Sequence, residues 1–132
     1  VCDTDSARAD ENSKFIANYL LSVLHHYEMM GDHYKDAKGY EAYGDAVDAM
    51  RETGKEGLMQ AYVDQQIWGT PDQILRKFET RRETLGATDC LAAFRFAGIP
   101  YEAAARSQKL FAEEVLPVLK SWTAEDEASA AA

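Results

Sequence analysis

The apolar residues Phe15, Ile16, Tyr19, Leu20, Val23, Leu24 and Tyr27 alternate steps of one and three along the chain, which puts them on one face of an α-helix. This spacing predicts a first helix over 6–30, and Gly31 is the expected left-handed residue that ends it. Residues 31–40 are polar, bounded by glycine and rich in turn formers, and read as an ordered loop. Helical spacing resumes at Tyr43, Ala46, Val47 and Met50 up to Gly54, and again at Leu58, Met59, Tyr62, Val63 and Gln66 up to Gly69. Two shorter helices follow.

The sharpest local signal is Gly69-Thr70-Pro71-Asp72-Gln73. Thr70 can cap, Pro71 suits the first helical position because it has no N–H to leave unpaired, and Gln73 closes a capping box. A helix over 70–85 is expected, with Ile74, Leu75, Phe78 and Leu85 inward and Gly86 as its stop. Cys90-Leu91-Ala92-Ala93-Phe94-Arg95-Phe96 is a short apolar run between helical patterns, and 88–96 reads as one buried parallel strand. Pro100 then opens a last helix over 100–122, with Ala104, Gln108, Phe111, Val115, Leu119 and Trp122 on its inner face. Pro117 is expected to kink it or restart its final turn. Residues 123–132 have nothing to bury and are expected to be a disordered tail.

The fold class is therefore mostly α with one or two short parallel strands, the second being a stub at Val1-Cys2. One parallel strand leaves donors and acceptors unpaired on both edges, so the pattern reads as part of a larger α/β fold. At 132 residues the chain falls short of the roughly 200 that a complete eight-fold α/β barrel needs. Fourteen Lys and Arg against 23 Asp and Glu leave a net charge of −9. That charge repels a phosphate backbone and an anionic membrane surface, which argues against nucleic acid and membrane as partners. No apolar run reaches the roughly 20 residues of a bilayer span, and the N-terminus lacks the basic and apolar regions of a signal peptide. The expected location is cytoplasmic. A chain that begins at Val1 fits a trimmed or excised segment. Cys2 and Cys90 form neither a disulfide framework nor a zinc knuckle and read as small buried apolar residues.

Three stretches carry a resemblance: Ile67-Trp68-Gly69-Thr70-Pro71-Asp72-Gln73-Ile74, then Ala93-Phe94-Arg95-Phe96-Ala97-Gly98-Ile99-Pro100-Tyr101-Glu102-Ala103-Ala104, then Leu110-Phe111-Ala112-Glu113-Glu114-Val115-Leu116-Pro117. Together with Gly31-Asp32-His33-Tyr34 and Lys38-Gly39-Tyr40-Glu41 they resemble the C-terminal end of the bacterial luciferase-like flavin-dependent monooxygenases, over roughly the last third of such a protein. The resemblance implies the C-terminal portion of an α/β (TIM-type) barrel. Residues 6–68 would be lid helices, 70–85 an outer helix, 88–96 the eighth strand and 100–122 the eighth helix. It implies FMN, or the deazaflavin F420, as cofactor of the complete protein, with no flavin tightly bound to this chain because the strands that hold it come earlier. The implied partner is the remainder of the barrel. The alternative is a stand-alone helical interaction module whose strand pairs with a second copy in a homodimer, without catalysis.

Candidate chemistry is sparse. Arg95 and Gly98, at the C-terminal end of the expected strand, are candidates for bordering the flavin or substrate pocket, where barrels place working groups. The bland alternative makes Arg95 a structural cation paired with a carboxylate. His33, Tyr34, Lys38 and Tyr40, with Asp32 and Lys35, could form a polar lid over substrate, or an ordinary surface loop. His25, His26 and His33 lack metal-ligand spacing, so no metal is expected. Met29, Met30, Met50 and Met59 with Tyr19, Tyr27, Tyr43 and Tyr62 fall at helical spacing and read as core. Glu113-Glu114 and Glu125-Asp126-Glu127 read as solvated charge. Nucleophile elbow, Walker loop and dinucleotide fingerprint are all missing from the sequence.

Overall fold

The computed structural model describes residues 1–29, 31–86 and 89–122. Among them the chain is mostly α-helical: α1 (Ser6–His26), α2 (Glu41–Thr53), α3 (Lys55–Gln65), α4 (Pro71–Leu85) and α5 (Tyr101–Leu110). A short 3-10 turn, Asp32–Tyr34, lies between α1 and α2, and α5 runs into a π turn, Phe111–Val115, and then a helical stretch over 116–122. The chain divides into two compact units, one made of Val1–Ser13 with the chain from Ile67 onward, the other of Lys14–Gln66. The first is called here the terminal unit and the second the middle unit.

In the terminal unit α1 starts at a cap that the apolar pattern does not announce. The Asp5 carboxylate accepts from the N–H groups of Ala7 (2.8 Å) and Arg8 (3.2 Å), two of the donors that a helix start leaves unpaired. α4 starts as the sequence predicts. Thr70 Oγ1 accepts from Gln73 N–H at 3.4 Å, and Gln73 Oε1 accepts from Thr70 N–H at 2.8 Å. Gly69 is needed beside this box: its φ is +138°, and a Cβ there would stand 2.6 Å from Gln73 Oε1. Ile74, Val115 and Cys2 form the sealed centre, with Ile67, Leu75, Phe78, Leu110, Phe111 and Leu119 packed around it. The strand stub is a single parallel bridge between Cys2 and Gly69, in which Asp3 N–H donates to Gly69 O (3.1 Å) and Gly69 N–H to Val1 O (3.0 Å).

At Pro117 the last helix neither stops nor restarts, and it runs on without a break from 101 to 122. The Pro117 ring would collide with the carbonyl one turn back, and the chain accommodates this by widening 111–115 into a π turn, in which Leu116 N–H donates to Phe111 O. The inner faces of α4 and of the last helix differ from the expected ones: Leu85, expected inward, is 67% exposed, and Ala103 is buried beside Ala104. Gln108 is exposed, and Ser107 is buried instead, with its Oγ accepting from Cys2 N–H at 2.8 Å.

Residues 89–96 are neither strand nor helix, which corrects the expected buried strand. Leu91 is 98% exposed and Cys90 is exposed too, so only Cys2 of the two cysteines is the buried apolar residue expected. A central parallel strand needs a neighbour on each edge, and the described residues supply no ladder for this one. Phe94 and Phe96 are half-buried, and the Phe94 ring stands 5.3 Å from that of Phe111. Thr88, the first residue of the expected strand, and the tail 123–132 lie outside the described residues.

In the middle unit Ile16, Ala17, Leu24, Val47 and Val63 are buried. Helix α1 ends at His26, earlier than position 30, and Gly31 is not its left-handed cap. Gly31 has φ −81°, ψ 157°. The left-handed residue is Glu28, at φ +49°. Met29 N–H donates to Leu24 O (2.9 Å) and Glu28 N–H to His25 O (3.2 Å), the paired bonds of a Schellman ending with a glutamate where glycine is usual. The expected tyrosine and methionine core is also corrected in part: Tyr19 and Tyr27 are exposed, at 47% and 60%, while Met50, Met59 and Tyr62 are half-buried. Met30 and the side chain of Tyr43 lie outside the described residues.

Candidate functional site

The middle unit contains a cavity of about 550 Å³. One wall is the last face of α1, where Leu21, Leu24 and His25 stand at i, i+3 and i+4, with Glu28 of the Schellman turn following. The other wall is the corner between α2 and α3. Gly54 makes that corner with φ +78°, ψ 161°, serving as the last residue of one helix and the entry to the next. Because a side chain is strained there, glycine lets Met50 and Arg51 from α2 and Lys55 and Leu58 from α3 converge on one space. Four apolar side chains thus line a cavity whose charged groups are Glu28 on the α1 side and Arg51 and Lys55 on the α2–α3 side.

Arg51 belongs to a four-charge cluster that ties the loop after α1 to α2. Its guanidinium donates to Asp32 (2.8 Å) and to Asp48 (3.4 Å), and Lys35 Nζ lies 2.8 Å from Asp48 and 3.7 Å from Asp32. The Arg51 hydrogen bond holds the Asp32 carboxyl below its usual range, and Asp48 raises Lys35. All four groups are at the surface, where such pairs are individually weak and screened by salt.

The residues expected to form a polar lid take other places. His33 sits in the 3-10 turn with its ring folded so close to Gly31 that a Cβ on that glycine would stand 2.5 Å from His33 Nδ1. His33, Lys38 and Tyr40 are exposed, and the cavity lining comes from α1, Gly31 and the α2–α3 corner instead. The side chain of Tyr34 lies outside the described residues. Of the loop cations, Lys35 is the one that pins the segment. Among the described residues no three His, Cys, Asp or Glu side chains are grouped as a metal ion requires, and no helix is long and apolar enough to cross a membrane.

In the terminal unit Arg95 is exposed, its guanidinium over the Tyr101 ring at 4.9 Å, a cation–π contact in place of the carboxylate pair considered from sequence. Gly98 has φ +83° and is exposed, with open space where a Cβ would point. The two therefore stand on open surface and do not enclose a flavin ring or its phosphate. The residues present do not by themselves fit a flavin. Other polar groups of this unit are spent on structure. Burial pushes the Cys2 thiol up to about 11, so it stays protonated and unreactive at neutral pH. Burial also works against the Asp3 carboxylate, yet hydrogen bonds from Arg8 (2.7 and 3.3 Å) and the Asp5 N–H (2.9 Å) outweigh it and hold its pKa below the usual value.

The cavity residues Leu21, His25, Glu28, Arg51 and Lys55 were not brought together by sequence reasoning. The i, i+3, i+4, i+7 step on α1 was available as a signal, but the turn at Gly54 that swings the second wall into place has no periodicity to read. Compared with protein-family models, with curated proteins and with solved structures, the chain matches none.

Proposed function

We propose that this chain is the C-terminal portion of a luciferase-like flavin-dependent monooxygenase, supplying lid helices, the last strand and the last helix to an α/β barrel. The observation that carries the reading is the segment 89–96. Its residues 90–94 are a continuous apolar run of the kind that parallel strands covered on both faces display, yet the segment has no ladder among the described residues and leaves Leu91 98% exposed. It also lies between two helices, α4 and the one beginning at α5, and α4 packs against the π turn of the latter, as neighbouring outer helices of a barrel do. Burial of this run in a sheet requires strands that are not found among the described residues. The remainder of the barrel is the partner that provides them, and FMN or the deazaflavin F420 is the cofactor of the completed protein. The chain alone performs no turnover on this reading, and the protein is cytoplasmic. The same exposed run favours one second reading, a homodimer in which two copies of 89–96 pair, without catalysis.

Light scattering with flavin absorbance on the same peak tests both. The chain is run alone and after co-expression with the N-terminal portion of a luciferase-like monooxygenase. The barrel reading predicts a 1:1 complex that retains FMN, while the chain alone retains none. A flavin-free dimer that ignores the barrel portion overturns it in favour of the second reading.

A further inference from the structure

The cavity of the middle unit has charge and shape that neither reading above uses. Its apolar lining, Leu21, Leu24, Met50 and Leu58, is interrupted at one corner by positive features from three sources. Arg51 is held there by Asp32 and Asp48. Lys55 has no ion pair among the described residues. The first turn of α3 lacks a side-chain cap, because its entry residue is Gly54, and its free N–H groups add the partial positive charge of a helix start. This gathering stands in a chain of net charge −9. Glu28 comes from the α1 wall, in a left-handed conformation that is strained for a non-glycine residue.

We propose that this cavity is a binding site for a small organic anion with an apolar body, such as an aryl- or alkyl-carboxylate. The body lies on the four apolar side chains, and the carboxylate faces Lys55 and the start of α3, away from Glu28. Its volume, about 550 Å³, is in the range that small-molecule sites occupy. Lys55 supplies the head-group charge, since Arg51 is already engaged by two carboxylates. Glu28 sets orientation by repelling a carboxylate presented the other way round. The inference does not rest on the barrel reading.

The test is a titration of the whole chain with 3-phenylpropionate, with 3-phenylpropanol as the uncharged match, followed by methyl NMR of Leu24, Met50 and Leu58 and by calorimetry. The expected result is saturable shifts of those methyls by the carboxylate, with the alcohol bound about fivefold more weakly or worse, as loss of one charge-assisted contact implies. Lys55→Gln should weaken the carboxylate by about the same factor and leave the alcohol unchanged, and Glu28→Gln should tighten the carboxylate about twofold. Both substitutions are at exposed positions, and an unchanged helical circular dichroism signal verifies folding. The proposal is overturned if the methyls do not shift, if carboxylate and alcohol bind alike, or if folded Lys55→Gln binds the carboxylate as the unaltered chain does.

Discussion

The terminal and middle units are built from similar helices but held by different means. In the terminal unit Ile74, Val115 and Cys2 are sealed from solvent, α4 opens on a complete capping box, and the buried Ser107 hydroxyl accepts a bond from Cys2 N–H. In the middle unit an open cavity lies among helices whose connecting loop is pinned by four surface charges, and α1 ends on a left-handed glutamate. The first arrangement resists change because dense packing and buried polar partners leave no slack. The second can yield to a ligand, because surface pairs are individually weak. This contrast predicts that stability is concentrated in one unit and adaptability in the other.

Truncation should expose this contrast most strongly. Ile74→Ala removes a side chain only 1% exposed and should cost about 3 kcal/mol by urea denaturation, from lost transfer energy plus the cavity left behind. Met50→Ala, in a wall that already faces open space, should cost no more than about 1 kcal/mol. Equal losses would erase the distinction. Thr70→Ala comes next: losing the cap of α4 should cost about 1 kcal/mol, seen in the same denaturation curves.

These two expectations also show what could be read in advance. The capping box at Thr70 and Gln73, the stop at Gly86 and the inward Ile74 were legible because they depend on neighbours within a few residues. The end of α1 was not, because glycine at 31 looked the natural cap while backbone bonds from Met29 and Glu28 closed the helix three residues sooner. The run 90–96 was legible as apolar and as short of a partner strand, but not as irregular and exposed, since a strand exists only where another strand meets it. The cavity was missed for a related reason: its two walls lie some thirty residues apart and meet through one corner at Gly54.

Acid should separate the units by a smaller margin. The Asp3 pKa is below its ordinary 3.8 in the folded chain, so its contribution to stability is complete above that ordinary value and is lost as pH falls through the lower folded one. Asp32 has the same sign in the middle unit but is exposed. Raising salt to about 1 M, where the screening length is about 3 Å, should loosen the loop at Asp32 and Lys35 in hydrogen exchange while leaving amides near Asp3 protected. Asp3→Asn should remove most of the acid sensitivity of the terminal unit. Loosening of both regions by salt would contradict the contrast. The smallest effect expected is from Glu28→Gly, which relieves left-handed strain but gains unfolded-chain entropy. It should change stability by a few tenths of a kcal/mol in thermal melts.

Hydrogen exchange of the backbone amides in 89–96 tests the central claim most directly, measured on the chain alone and on the chain co-expressed with the N-terminal portion of a luciferase-like monooxygenase. The account predicts exchange within seconds for the chain alone, independent of its concentration, and strong protection of alternate amides once the barrel portion is present. Amides that stay unprotected in a purified complex, or that become protected in the chain alone as its concentration rises, would contradict it.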